Sequence, residues 1–128
     1  MHDVINHPLH YTLHPTGIEC FDVIKGMPHE LSNPVKYTFR TDLKNGIEDL
    51  NKAIWYLKKC DEETFRLLEH YYNPVMHEFI NQSFEIKCDR MPAYICQAAK
   101  ALDFERFEDQ IDGCIYMIEN RIERMLEA

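Results

Sequence analysis

Lys36, Arg40 and Lys44 recur at every fourth position of "NPVKYTFRTDLKNGIEDLNKAIWYLKK", residues 33–59. On a helix, residues four apart share a face. Three cations in such a line suit a phosphorylated ligand, because a guanidinium forks onto two phosphate oxygens and an ammonium adds a mobile point charge. The same line also reads as a solvated surface relieved by Asp42, Glu48 and Asp49. From spacing alone the solvated surface is the better reading, since charge runs usually face water.

Carboxylates offer a second chemistry. Glu19 and Asp22 lie three apart, and Glu48 and Asp49 open the helix after the basic stripe. Converging on one point, they would hold Mg²⁺, which takes one or two carboxylates together with substrate phosphates and water. The plain alternative pairs Glu48 with Lys52 one turn on and leaves both acids at a helix N-terminus. Glu105, Glu108, Asp109 and Asp112 spell E-x-x-E-D-x-x-D, a pattern that binds Mg²⁺ in helical pyrophosphohydrolases. The partner motif E-E-x-x-E is missing from this sequence, so the run reads as a solvated acidic face. His7, His10 and His14 have a spacing that a transition metal accepts, yet no cysteine or acid nearby completes the set. Among the aromatics Tyr11, Tyr37, Trp55, Tyr56 and Tyr72, most belong to core or rim, while one of them, with Tyr37 beside Lys36 the candidate, would stack on a nucleobase. Nothing fits the phosphate loop G-x-x-x-x-G-K-[ST].

The elements that must position these groups follow from periodicity. Residues 1–17, with two prolines and four histidines, predict an extended arm. Ile18, Cys20 or Phe21, and Ile24 predict a first helix with Thr16 as its cap. Pro34 predicts the start of a second, capped by Asn33 and burying Val35, Phe39 and Leu43. Asn45 and Gly46 end it, and a third runs over 47–59, burying Ile47, Leu50, Ile54 and Leu57. Further helices are expected over 61–72, 75–84 and 91–102. The longest is capped by Asp103 and carries a stripe of Phe107, Ile111, Ile115, Ile118, Ile122 and Leu126. No strand pattern is present. The expected fold is all-α, a compact bundle of about five to seven helices with an extended N-terminal arm.

Composition bounds the function. The chain has 128 residues and a net charge of −8. Seven acids and seven bases fall in residues 1–60, fifteen acids and seven bases in 61–128. The second half would repel double-stranded nucleic acid, whereas a small phosphorylated ligand needs only a local group of donors. The five cysteines are scattered and form no C-x-x-C pair, as in a reducing compartment. No apolar run is long enough to cross a membrane and no basic-then-apolar leader opens the chain, so a cytoplasmic protein is expected. A homo-oligomer is expected from the long apolar stripe of the last helix.

Four blocks, "NHPLHY", "GIECFDVI", "NPVKYTFR" and "KNGIEDLNKAIWYL", resemble in order and spacing a family of small phage and prophage proteins. That family is usually labelled a domain of unknown function, and its biochemically described branch is a nucleotide kinase without a P-loop that phosphorylates dTMP and dGMP. The resemblance covers about residues 5–59 and turns the basic stripe from solvated surface into site. It implies phosphate contacts from Lys36, Arg40 and Lys44, with His10 and Tyr11 closing the arm over the ligand. Asn33, Tyr37, Lys52 and Trp55 would complete the ligand set, and Lys36, Arg40 and Asp49 would serve catalysis. Glu19, Asp22 and Glu48 would hold Mg²⁺, and ATP would donate the phosphate. Ser32 stands where the family has Gly, and Thr41-Asp42 where it has Ala-Gly. The alternatives are a protein that sequesters a nucleotide or nucleotide signal without turnover, and a helical interaction module. Residues 1–60 form the family-like region, and 61–128 an acidic helical extension packed on it as one domain.

Overall fold

A computed structural model of the chain describes residues 16–40, 46–82 and 88–127. Among these residues there are seven α-helices, one short 3-10 turn and no strand. They are α1 (Cys20–Ile24), α2 (His29–Phe39), α3 (Ile47–Leu57), α4 (Glu62–Leu67), α5 (Pro74–Asn81), α6 (Met91–Ala98) and, after the 3-10 turn Ala99–Ala101, α7 (Phe104–Glu127). The all-helical expectation holds. The N-terminal arm, with its histidine triplet, and Leu43 lie outside the described residues.

The first helix starts later than its sequence suggests. Thr16 Oγ1 accepts from the Ile18 amide at 3.1 Å, which tightens the approach, and Glu19 takes the cap position instead. Cys20 and Val23 turn inward while Phe21 is exposed. Gly26 then adopts φ +83°, and a Cβ there would sit 3.2 Å from the Tyr71 ring.

The second helix starts earlier. Pro28 occupies its cap position, and its carbonyl accepts from the Leu31 and Ser32 amides. Pro34 is therefore internal, where it cannot donate to the Glu30 carbonyl one turn back. That carbonyl receives the Cys60 thiol at 3.7 Å. The orphaned acceptor is thus served from the end of α3, and burial pushes the Cys60 thiol up to about 12. Leu31, Val35 and Phe39 form the buried stripe of α2.

Gly46 turns the chain at φ +53°, and its carbonyl accepts from Leu50. The inward face of α3 is Asp49, Leu50, Ala53 and Leu57, so Ile47 and Ile54 are only partly covered. Helices α2 and α3 pack along each other; α6 closes over α2, and α7 over α3 and α6. Residues on both sides of position 60 share one core. Phe39 meets Phe79 at 5.5 Å between ring centres, and Phe65 meets Phe107 at 5.1 Å. Burying Phe39, Phe79 or Phe107 contributes about 1.5–3 kcal/mol each. Asp103 Oδ1 accepts from the Arg106 amide at 2.8 Å, so it does cap α7. Phe107, Ile111, Cys114 and Ile118 are buried there, and Leu126 is exposed.

Candidate functional site

Tyr37 is the centre of the hairpin's polar face. It projects from α2 one turn before Arg40, whose guanidinium lies 4.8 Å from the Tyr37 ring centre. The Lys52 ammonium of α3 lies 5.6 Å from the same ring. Tyr56, one turn after Lys52, stacks on Tyr37 at 6.1 Å with 20° between the planes. Trp55 meets Tyr56 nearly perpendicularly at 4.9 Å, and the Lys59 ammonium rests 4.7 Å from the Trp55 ring centre. A row of three aromatic rings, with cations over its first and last members, thus runs from α2 across to the end of α3.

Beneath this surface is an ion pair. Arg40 is 8% exposed and Asp49 0%. Arg40 Nε approaches Asp49 Oδ2 at 3.4 Å, and Nη2 donates to Oδ1 at 3.4 Å. The fork spans both carboxylate oxygens, joining α2 to α3. A charge this deep is tolerated because its counter-charge is equally deep. The pair sits beside Cys20, whose thiol burial pushes up to about 12 against the opposing pull of Lys36 and Arg40. Cys20 stays a neutral thiol at physiological pH, although it opens α1 and faces two cations.

The structure separates the expected site residues into groups. Tyr37, Arg40, Asp49, Lys52 and, through Tyr56, Trp55 come together on the α2–α3 hairpin, while Lys36 sits on α2 where its charge acts on Cys20. Asn33 does not cap α2; it is internal, and its Nδ2 donates to the His29 carbonyl at 3.0 Å. Glu48 is exposed and pairs with Lys52 at 3.2 Å, so it and Asp49 point to different sides of α3. Asp22 is exposed on α1 while Glu19 is half-buried before it. Among the described residues no three His, Cys, Asp or Glu side chains lie close enough to hold a metal ion. Glu105, Glu108, Asp109 and Asp112 are exposed on α7, as a solvated face requires. His10, Tyr11 and Lys44 lie outside the described residues.

Sequence reasoning passed over two features. One is Lys59, which lies beyond the end of α3 and whose ammonium rests over the indole. The depth of Asp49 was also unexpected, because an acid in a helix's first turn ordinarily faces water. Its signal was the apolar pattern itself, since Asp49 adjoins Leu50 and lies four before Ala53 on the buried stripe.

No helix among the described residues is long and apolar enough to cross a membrane. No curated protein and no solved structure matches the chain. Residues 5–58, which contain the whole α2–α3 hairpin, match the model of the family described as a protein of unknown function, DUF3310.

Proposed function

We propose that the chain binds a nucleotide on the α2–α3 hairpin. The observation that carries this reading is the row of aromatics Tyr37, Tyr56 and Trp55, flanked by the cations Arg40, Lys52 and Lys59, in the net-neutral half of an acidic chain. Lys36 and Lys52 are half-exposed and can reach phosphate oxygens directly. Arg40 supplies its charge from below and fixes the two helices that present those lysines. Resemblance to the kinases without a P-loop suggests a nucleoside monophosphate as acceptor and ATP as donor. Transfer would then rest on positioning and on neutralising charge on the moving phosphoryl group.

Magnesium is part of that reading, and the described carboxylates bear on how it would be held. Glu48 is engaged by Lys52, Asp49 by Arg40, and Glu19 and Asp22 do not join them in a cluster. They do not form a built metal site. A magnesium ion would then enter as nucleotide–Mg²⁺, bringing its neutralising charge with the phosphates it is bound to.

A second reading, binding without turnover, is favoured by the burial of Asp49. A carboxylate with no exposed surface and both oxygens facing Arg40 is poorly placed to take a proton from a substrate hydroxyl. Incubation of the protein with dTMP, dGMP, ATP and Mg²⁺, followed by heat release and mass spectrometry, separates the readings. New di- or triphosphates support the kinase. Nucleotides retained unchanged support sequestration. Nothing retained and nothing changed removes the nucleotide reading and leaves a helical interaction module.

A further inference from the structure

Trp55 is the chain's one tryptophan and is 55% exposed. Glu48, Lys52 and Trp55 follow one another by four and three residues, so they form a single outward line along α3, and Lys59 lies just beyond its end. The Trp55 surroundings differ from those of Tyr37. Tyr37 is half-buried, with Arg40 and Lys52 over it and Tyr56 stacked against it. Its ring is already occupied by the protein's own groups. Trp55 carries one mobile group, the Lys59 ammonium, and a cation–π contact at an exposed site is weak. Tyr56 holds the indole edge-on from within the hairpin, which limits the ways it can turn.

We infer that Trp55 is the shelf on which the base of the nucleotide stacks, and that Lys59 leaves the indole for the ligand's phosphate when the base arrives. The inference rests on the nucleotide reading and narrows it. The base is recognised by its π-face rather than by its hydrogen-bonding edge, so the site accepts different bases and favours the larger purine ring system. Every base has a π-face, which makes stacking tolerant of base identity. Lys59 has a second use for its charge once displaced, because an ammonium on a four-carbon stem reaches over a wide arc.

The test is titration of dGMP and dTMP into the full chain, followed by calorimetry and by the fluorescence of the single tryptophan. Binding should quench the emission, more strongly for dGMP at equal saturation. Trp55→Leu should weaken dGMP binding by roughly five- to a hundredfold, the range expected for one lost base–aromatic stack. Trp55→Phe should retain most of the affinity, which separates lost stacking from a disturbed fold. Lys59→Met should weaken dGMP severalfold and leave the affinity for deoxyguanosine unchanged. Calorimetric binding with unaltered emission and an unaffected Trp55→Leu variant would overturn the shelf while the nucleotide reading stands. Lys59→Met binding dGMP as tightly as the parent overturns the transfer of the ammonium. Neither nucleotide binding the parent chain overturns shelf and reading together.

Discussion

Arg40 and Arg90 are buried to nearly the same depth, 8% and 7% exposed, and each lies over an aromatic ring. Arg40 stands 4.8 Å from Tyr37 and Arg90 4.6 Å from Phe79. What neutralises them differs. Arg40 reaches nine residues along the chain to Asp49, which has no exposed surface and belongs to another helix. Arg90 takes the adjacent Asp89, which is partly open to water. Its Nε also donates at 3.1 Å to the Phe79 carbonyl in the last turn of α5. The first arginine ties two helices together through a pair whose carboxylate is wholly desolvated. The second closes one helix end and keeps a partner that can still hydrate. Equal burial of a cation therefore says little about its weight; the exposure of its counter-charge decides.

The largest effect should come from breaking the first pair on one side. Asp49→Ala removes the fully buried carboxylate that faces the buried guanidinium, and about 3–5 kcal/mol of stability should be lost. Urea unfolding followed by circular dichroism measures it. The double variant Arg40→Met, Asp49→Leu removes both charges and should recover most of the loss. Losses that simply add in the double variant would show that the two side chains are not coupled. Arg40→Ala is thus no clean probe of ligand contact, because it too leaves one half of a buried pair. Lys36→Gln removes an exposed charge and is the better probe.

Breaking the second region should cost less. Arg90→Ala gives up the bond to Phe79 and its ring contact, about 1–3 kcal/mol in the same unfolding measurement, because Asp89 can turn to water. A loss equal to that of Asp49→Ala would end the distinction between the two arginines.

Asn73 tests the middle ground, an uncharged side chain doing both jobs. Its Oδ1 accepts from the Val75 and Met76 amides at 3.0 and 3.3 Å, capping α5. Its Nδ2 donates to the Asp22 and Val23 carbonyls at 2.8 and 3.0 Å, closing the end of α1 fifty residues away. Asn73→Ala should cost about 1–2 kcal/mol. Asn73→Ser keeps a capping oxygen and loses the cross-link, so it should recover about half of that. Full recovery by serine would assign the whole effect to the cap.

Local rules were legible where their partners lay within a turn. Asp103 announced the start of α7, and Phe107, Ile111 and Ile118 its buried stripe, because cap and periodicity are written within a few residues of each other. The start of α2 was not legible from Pro34. With that proline inside the helix, the Glu30 carbonyl is met by the Cys60 thiol, a contact thirty residues distant. The burial of Arg40 failed to show for the same reason. A cation every fourth residue looks solvated until Asp49 is brought beneath it by the Gly46 turn. The residues that gather at the candidate site were nevertheless mostly nameable in advance, since the cations and aromatics are the types that any phosphate or base site must use. Lys59 was missed because its role depends on the direction of Trp55, which no spacing states.

Asp61 gives the smallest effect and the sharpest contrast with Asp49. It is exposed, and its partners are three residues away. Oδ1 accepts from the Thr64 amide at 3.0 Å, while Thr64 Oγ1 accepts from the Asp61 amide at 3.2 Å, a reciprocal cap at the start of α4. The Thr64 hydrogen bonds hold the Asp61 carboxyl below the usual carboxylate range. The charged form is thus favoured in the folded chain. Its contribution to stability is complete above the ordinary aspartate pKa of about 3.9 and fades as the pH falls through the lower folded value. Asp61→Ser keeps an oxygen that can cap but cannot ionise. The melting temperature of the parent should therefore exceed that of Asp61→Ser by a small margin at pH 6, and the margin should shrink toward pH 2. A margin that stays constant over that range would mean that the charge of Asp61 adds nothing to the cap. A local, hydrated carboxylate would then matter only through its shape, and depth alone would separate it from Asp49.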